Sequence, residues 1–395
     1  MLQKIKILHV ISNFGIGGAE VWLIALLRYY KQYAEKLEVQ VDTDIFLTNG
    51  VRDCLDDEAE ALGARLIYAR YSRETLPTFV ATWRQTLAAG RYDAIHDHQD
   101  FTAGWHFLFG TGYLPPVRIA HLHNSMSHQR SYSSGLLRKK TVSLGYRFIA
   151  MQASHLLSTS RKLITEQGFD NLHAARHLQK LTVYCGFDPN RFLCDRDEAL
   201  REMREEFRLS HSAKLLLFVG RLDGHSDDAL NEKNPSFCLE VARECASRDP
   251  NFICLLAGSG ETMRTRLQDR VRSWGMEQQI LLIGPRSDVP ILMAGADLLL
   301  FPSLAEGLGM VAVEAQSAGL PVIASDAVPS ECRVIDGMVD FLPLAAGVEF
   351  WAQKVMEKLQ NIKPDARAAN RAVLNSQFSI DNSAKRLLQI YRGEI

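Results

Sequence analysis

Short runs of β-branched and aliphatic residues alternate with longer segments of helical period along most of the chain. Lys6–Ile11 reads as a strand and Ala19–Tyr33 as a helix. Further strands are expected at Val39–Leu47, Arg65–Tyr68, Ala94–His96, Arg118–His123, His155–Ser158 and Lys180–Tyr184, mostly with helical segments between them. Most of these strands carry short continuous apolar runs instead of a strict apolar-polar alternation. That pattern marks parallel β-α-β units covered by helices on both faces. The rhythm restarts at Lys214–Val219 and continues through Phe252–Ala257, Gln279–Ile283, Asp297–Phe301 and Pro321–Ala324, with helices near Ser236–Arg248 and Thr262–Trp274. Between the halves, Asp195–Arg208 is dense in charge and poor in strand formers, which sets a boundary near residues 190–212. Two α/β domains fit this pattern better than one very wide sheet, and there is no solenoid-type repeat.

Composition supports the pattern. With 395 residues, 47% hydrophobic and 23% charged, the chain can bury large cores and is not a disordered tail. The cysteines at 54, 185, 194, 238, 245, 254 and 332 form no C-x-x-C pair and are odd in number, so reduced thiols are expected in place of a disulfide framework. The opening apolar run is too short for a signal peptide, and no stretch reaches the roughly 18 apolar residues of a membrane span. A soluble or peripheral protein is expected, cytoplasmic or on the inner face of the cytoplasmic membrane.

Charge changes the picture only when its distribution is followed. The totals, 45 Lys+Arg against 46 Asp+Glu, argue against a nucleic-acid binder. Yet residues 101–165 contain no Asp or Glu and carry Arg118, Arg130, Arg138, Lys139, Lys140, Arg147, Arg161 and Lys162. Apolar Leu136 and Leu137 precede the Arg138–Lys140 triplet. Residues 118–162 are therefore expected to touch an anionic membrane or an anionic acceptor; the alternative is a basic face neutralised within the fold.

Four motifs carry candidate chemistry. Gly15-Ile16-Gly17-Gly18-Ala19-Glu20 lies between the first strand and helix, where glycines let backbone N–H groups approach a phosphate. A dinucleotide fingerprint needs glycine at position 20, and Glu20 weakens that reading. His96-Asp97-His98 and His121-Leu122-His123 sit at strand ends, where residues two apart point the same way. No cysteine or carboxylate set of structural-zinc spacing accompanies them, and no metal is expected. The Asp42-Thr43-Asp44 and Asp195-Arg196-Asp197 triplets read as incidental.

Arg221 ends the strand Lys214–Gly220, and Lys233 precedes Asn234-Pro235 and a helix; such cations can neutralise a diphosphate leaving group. Glu306 and Glu314 lie in Pro302-Ser303-Leu304-Ala305-Glu306-Gly307-Leu308-Gly309-Met310 and the helix that follows. Eight residues of helix give about 12 Å of rise, whereas glycosidase carboxyls stand about 5–9.5 Å apart. Two separate hydrogen-bonding tasks on one elongated ligand suit this pair better than an acid/base couple.

On Gly17-Gly18-Ala19-Glu20, Asp93–His98, His123-Asn124, Val219-Gly220-Arg221-Leu222, Lys233-Asn234, Gly258-Ser259-Gly260 and the Glu306–Glu314 block, the chain resembles retaining GT-B glycosyltransferases of family 4 (group 1). It is similar to the bacterial enzymes of exopolysaccharide and cell-surface glycan synthesis. The resemblance implies two Rossmann-like parallel-sheet domains across a cleft. Residues 1–190 would form the acceptor side, 191–376 the nucleotide-sugar side, and 377–395 a helix returning to the first domain.

It further implies that Arg221 and Lys233 hold a diphosphate and Glu314 the ribose hydroxyls. Glu306 and the backbone of Leu308, Gly309 and Met310 would hold the donor sugar, with Gly17 and Gly18 approaching the phosphate or sugar. His123 would lie near the reacting carbon, and His98 and Glu20 would face the acceptor. The implied partners are a nucleotide sugar and a glycan or lipid-linked acceptor. Neither cofactor nor metal is required, because the cations and N–H groups do the electrostatic work; the departing phosphate helps take the acceptor proton, so no protein nucleophile is needed either.

Two departures stand out. Arg221 and Lys233 are twelve residues apart, separated by an acidic insertion, where the family has them much closer. The segment after the Glu314 helix is Asp326-Ala327-Val328-Pro329-Ser330-Glu331, where the family has Gly-Gly-x-Pro-Glu. A non-catalytic GT-B-fold binding subunit and a sugar-nucleotide epimerase are the competing readings.

Overall fold

The computed structural model describes residues 2–15, 17–124, 135–222, 231–360 and 364–395. The first stretch of chain runs β1 (Gln3–Ile11), α1 (Gly18–Gln32), β2 (Val39–Leu47), α2 (Asp56–Ala61), β3 (Arg65–Tyr68), α3 (Leu76–Gly90), β4 (Ala94–Asp97), α4 (Thr102–Phe109), β5 (Val117–Leu122), α5 (Leu136–Gln152), β6 (His155–Ser158), α6 (Arg161–Glu166) and β7 (Gln179–Thr182). The second runs α7 (Arg196–Phe207), β8 (Lys214–Val219), α8 (Pro235–Arg248), β9 (Phe252–Ala257), α9 (Glu261–Trp274), β10 (Ile280–Gly284), α10 (Val289–Gly295), β11 (Leu298–Phe301), α11 (Met310–Ser317), β12 (Val322–Ser325), β13 (Val339–Leu342), α12 (Gly347–Lys358) and α13 (Ala366–Leu374). A last helix, α14 (Ile380–Tyr391), follows.

Two compact units result, residues 1–187 with 377–395, and residues 188–376. The first holds a seven-stranded sheet in the order β3-β2-β1-β4-β5-β6-β7, the second a six-stranded sheet in the order β10-β9-β8-β11-β12-β13. Every strand pair in both is parallel. This is the α/β, Rossmann-like architecture expected from the apolar strands. Phe46, Trp83, Phe79 and Phe107 fill the core of the first unit and Phe218, Phe252 and Trp351 that of the second.

The chain leaves the first unit between Phe187 and Asp188, upstream of the boundary expected near 190–212. The charge-rich stretch that suggested that boundary is helix α7. Asp195 caps it, its side chain accepting from Glu198 N at 3.0 Å, and Asp197 and Glu198 favour the positive end of the helix dipole. The Asp195-Arg196-Asp197 triplet is therefore a helix start. Arg196 turns its guanidinium onto the carbonyls of Ala294, Gly295 and Ala296 at the end of α10. Asp44 of the other triplet is buried in β2. Burial pushes its carboxyl up, but hydrogen bonds from Arg65 and Tyr92 outweigh this and hold it below the usual carboxylate value. β13, too short and mixed to be read from the sequence, closes one edge of the second sheet.

Helix α14 completes the first unit. Trp22 donates to Ser383 Oγ at 3.2 Å, and Tyr30 donates to the Ala384 carbonyl at 2.9 Å. Backbone bonds from Phe187 N to Phe378 O (3.0 Å) and from Ile380 N to Phe187 O (2.8 Å) fix the returning segment.

Helices α4 and α5 touch backbone to backbone. A Cβ on Gly104 would lie 1.9 Å from the Gly145 carbonyl oxygen, a contact only glycine permits. Gly104→Ala is expected to force the helices apart and lower stability by about 1–3 kcal/mol in urea unfolding. An unchanged midpoint would show that the two helices can separate freely.

Candidate functional sites at the strand ends

In the second unit the functional side chains hang from the carboxyl ends of β8 and β11. Gly258, after β9, packs so closely on Gly220 that a Cβ there would lie 1.9 Å from the Gly220 oxygen. Arg221 follows, exposed, with no hydrogen bond or ion pair among the described residues. Of the insertion after it, residues 223–230 lie outside the described residues. Asn231, 2% exposed, anchors the far side: its side chain donates to the Leu222 carbonyl at 2.9 Å and accepts from Lys233 N at 3.0 Å. Leu304 N bonds the Glu232 carbonyl at 2.7 Å, tying this segment to the loop after β11.

The wide spacing from Arg221 thus does not carry Lys233 away from the Glu306 loop. Lys233 Nζ lies 2.6 Å from Glu306 Oε1 and 5.5 Å from the centre of the Phe301 ring. Sequence reasoning overlooked Asn231, and its only signal was an Asn two residues before the lysine.

Helix α11 begins at Met310 behind Gly309, whose φ of +92° suits glycine and whose Cβ would strike Phe301 and Val328 at 2.9 Å. The first-turn N–H groups of such a helix point out of it and suit an anion. Gln316, fully buried, locks the helix to the following loop: it donates to the Ala312 and Cys332 carbonyls and accepts from Val334 N and Ile335 N. Glu314 is partly buried, and desolvation pushes its carboxyl up to about 7 although Arg191 and Lys233 pull the other way. Arg191, from the segment that opens this unit, is a cation acting on Glu314 that no motif or spacing marks out.

In the first unit, five imidazoles line one face at the carboxyl ends of β1, β4 and β5. His9 pairs in register with His96. His9 Nδ1 lies 3.0 Å from His98 Nε2, and His98 Nδ1 lies 3.1 Å from His123 Nε2. A parallel row joins Tyr391 OH to His96 Nδ1 (2.7 Å) and His96 Nε2 to His121 Nδ1 (3.0 Å). Trp22 meets His96, His98 and His121 edge-on. Burial drives His9 down to about 3 and His123 to about 4, and holds His96, His98 and His121 well below the ordinary value. All five are neutral near pH 7.

Asp97, between the two histidines of its motif, points elsewhere and pairs with buried His106 at 2.6 Å. Asp100 accepts from His123 N at 2.9 Å and from the Asn124 side chain at 2.8 Å, fixing the loop that carries His123. His98, expected to face an acceptor, is 7% exposed and has both ring nitrogens engaged by His9 and His123, so it acts on anything outside only through His123. The Glu20 carboxylate folds over Gly17, where a Cβ would lie 2.3 Å from Glu20 Oε2. Gly18 has open space beside it, and Ile16 lies outside the described residues.

Residues 201–372 match the family described as Glycosyl transferases group 1, and residues 25–176 match the Glycosyl transferase 4-like domain. A protein named as a glycosyltransferase, EpsF of Bacillus subtilis (strain 168), is 28% identical over 397 residues, covering 98% of this chain and 96% of its own length. The UDP-Gal:alpha-D-GlcNAc-diphosphoundecaprenol alpha-1,3-galactosyltransferase of Escherichia coli is 24% identical over 352 residues, covering 86% of this chain and 84% of its own. Among solved structures, Anabaena Alr3699/HepE in complex with UDP superposes with a TM-score of 0.78 at 18% identity, covering 98% of this chain and 100% of that one. Two Rossmann-like units with this likeness define the GT-B class of fold. The chain belongs to the group 1, family 4-like glycosyltransferases.

Because Glu314 is more easily protonated in the folded protein than its reference value of 4.5, its contribution to stability is full below pH 4.5. That contribution fades as pH rises and is lost above about 7. Glu314→Gln removes the titration. The variant is therefore expected to gain on the wild type by about 2–3 kcal/mol between pH 5 and pH 8 in urea unfolding. An offset that does not change with pH would contradict the raised carboxyl.

Proposed function

We propose that this glycosyltransferase moves a sugar from a nucleoside-diphosphate sugar to a glycan or lipid-linked acceptor of bacterial surface polysaccharide synthesis, with retention and without a metal ion. The reading rests on one observation above all. Lys233, Glu306 and Glu314 gather around the head of α11, beside the strand end that carries unpaired Arg221. Negative charge grows on a departing diphosphate, and cations already in place stabilise it without reorganisation. Arg221 is available at once, while Lys233 turns from Glu306 to the diphosphate as the donor arrives.

Glu306, released, and the N–H groups near Leu308, Gly309 and Met310 take the sugar hydroxyls. Glu314 takes the ribose, accepting hydrogen bonds once ionised and donating one when protonated. The bond from the anomeric carbon to the diphosphate oxygen breaks as the acceptor oxygen bonds the same face, and the departing phosphate receives the acceptor proton. No protein nucleophile takes part. In the first unit His123 is assigned to the donor sugar near the reacting carbon, Gly17 and Gly18 to its phosphate or sugar, and Glu20 to the acceptor with His98 behind His123. The uridine-nucleotide ligands in the names of HepE and the E. coli relative make UDP-sugars the first donors to screen.

Leu136 and Leu137, 81% and 68% exposed, open α5 beside Arg138, Lys139 and Lys140. This apolar-basic face supports contact with an anionic membrane on its cytoplasmic side; Arg130 of the same block lies outside the described residues. Among the described residues no helix is long and apolar enough to cross a membrane.

Arg221→Ala and Glu314→Ala are each expected to lower kcat/KM by about 10²–10³-fold while far-ultraviolet circular dichroism is unchanged. Added chelator should leave the wild-type rate as it was. Full turnover in both variants would overturn the assignment. For the membrane contact, the wild type should co-sediment with vesicles containing anionic lipid and the Leu136→Glu/Leu137→Glu variant should not; equal recovery with neutral and anionic vesicles would remove that part of the reading.

A further inference from the structure

The five-histidine row is more than a transferase of the proposed kind needs. We propose that His98, His121 and His123 form a binding site for a borderline divalent cation of the zinc, cobalt or nickel class, and that its occupancy takes His123 out of sugar transfer. The second half rests on the function proposed above; the first does not.

One nitrogen from each of the three imidazoles lies within 4.8 Å of the other two. His98 Nδ1 and His123 Nε2 already stand 3.1 Å apart around a shared hydrogen. Two nitrogens bound to one tetrahedral zinc at about 2.0–2.1 Å sit about 3.3–3.4 Å apart, so the separation need grow by only a few tenths of an ångström, and an ion about 1.2 Å to the side of the N···N line replaces the shared hydrogen once both rings turn toward it. The third ligand is the remaining close imidazole of the cluster. His121 is fully buried; its Nε2 makes no hydrogen bond of good geometry among the described residues, although the Val183 backbone lies close enough to draw on the ring. A cation on Nε2 would take the lone pair of the tautomer in which His121 Nδ1–H faces His96.

Binding then fixes every proton. His121 Nδ1–H donates to His96 Nε2, His96 Nδ1–H donates to the Tyr391 oxygen, and His98 Nε2–H donates to His9 Nδ1. Ligating histidines are typically held by such outer donations, which set the ring and its tautomer. Because the ligands are neutral, binding rearranges protons without expelling one. The partial exposure of His123 provides the way in and leaves a fourth position for water. The other close triad, His9, His96 and His98, is buried at all three members and lacks such a route. With no carboxylate among the ligands, imidazole nitrogens favour zinc, cobalt or nickel, and magnesium, which prefers oxygen, is excluded.

The test uses the untagged full-length chain titrated with Co²⁺, read by the visible absorption of tetrahedral cobalt and by equilibrium dialysis. One ion per chain is expected, displaced by Zn²⁺ and unaffected by excess Mg²⁺. His121→Asn and His123→Ala should each abolish the tetrahedral spectrum. Tyr391→Phe, which breaks only the outer donation, should weaken binding about tenfold. No cobalt binding by the wild type, or binding unchanged in both histidine variants, overturns the site. With donor and acceptor present, Zn²⁺ should inhibit transfer in proportion to occupancy and chelator should restore it. Saturated cobalt with undiminished transfer overturns the inhibitory role alone. A metal-free wild type inactive with every donor overturns the proposed function while leaving the site standing.

Discussion

Parallel pairing is the constraint on which the rest depends. A parallel strand must be followed by a crossover that returns the chain to the same starting edge, so all carboxyl ends of a sheet open on one side. In each unit the strand order also reverses direction, about β1 in the first and β8 in the second. Loops leaving neighbouring strands at such a point diverge and leave a crevice. The imidazoles of β1, β4 and β5 lie at one such edge, and Arg221 and the Glu306 loop lie at the other. Chemistry gathers there because the topology leaves nowhere else for it.

Buried amides give these edges their definition. Asn231, Gln316 and Asn370 each make several hydrogen bonds to backbone, most of it outside any strand or helix ladder. Asn231 draws the chain back after the insertion, Gln316 holds α11 against the loop that follows it, and Asn370 joins α13 to Pro189 and Ser317. An unpaired backbone group in such a place would be costly, so the loops have few alternatives. The histidine row does in the first unit what the amides do in the second, with the difference that imidazole can change which nitrogen carries its proton.

The strands were legible because most carry continuous apolar runs between helical segments; Phe252–Ala257 and Lys214–Val219 match residue for residue, as does Val39–Leu47, whose apolar run is confined to Ile45–Leu47. The charge-rich stretch 195–208 misled because linkers and exposed helices share a composition, and only the Asp195 cap distinguishes them. At the site, Glu306, Glu314 and Lys233 could be singled out from motif and spacing. His9, Asn231, Asp100 and Arg191 could not, since their importance depends on register and on contacts across long separations. His9 meets His96 only because β1 and β4 are neighbours in that register, which no local pattern in either segment encodes.

The return of the chain to its first unit has a consequence for the order of synthesis. Trp22, Tyr29 and Tyr30 of α1 and His96 of β4 wait for Ser383, Asp381, Ala384 and Tyr391. Those residues leave the ribosome only after the whole second unit has been made. During translation the amino-terminal unit must therefore stand incomplete, its indole, its phenols and one end of its histidine row uncovered for the length of a domain. The last helix acts as a fastener that only a finished chain possesses, and a transcript cut short anywhere in the second unit yields a protein whose oldest part has never closed.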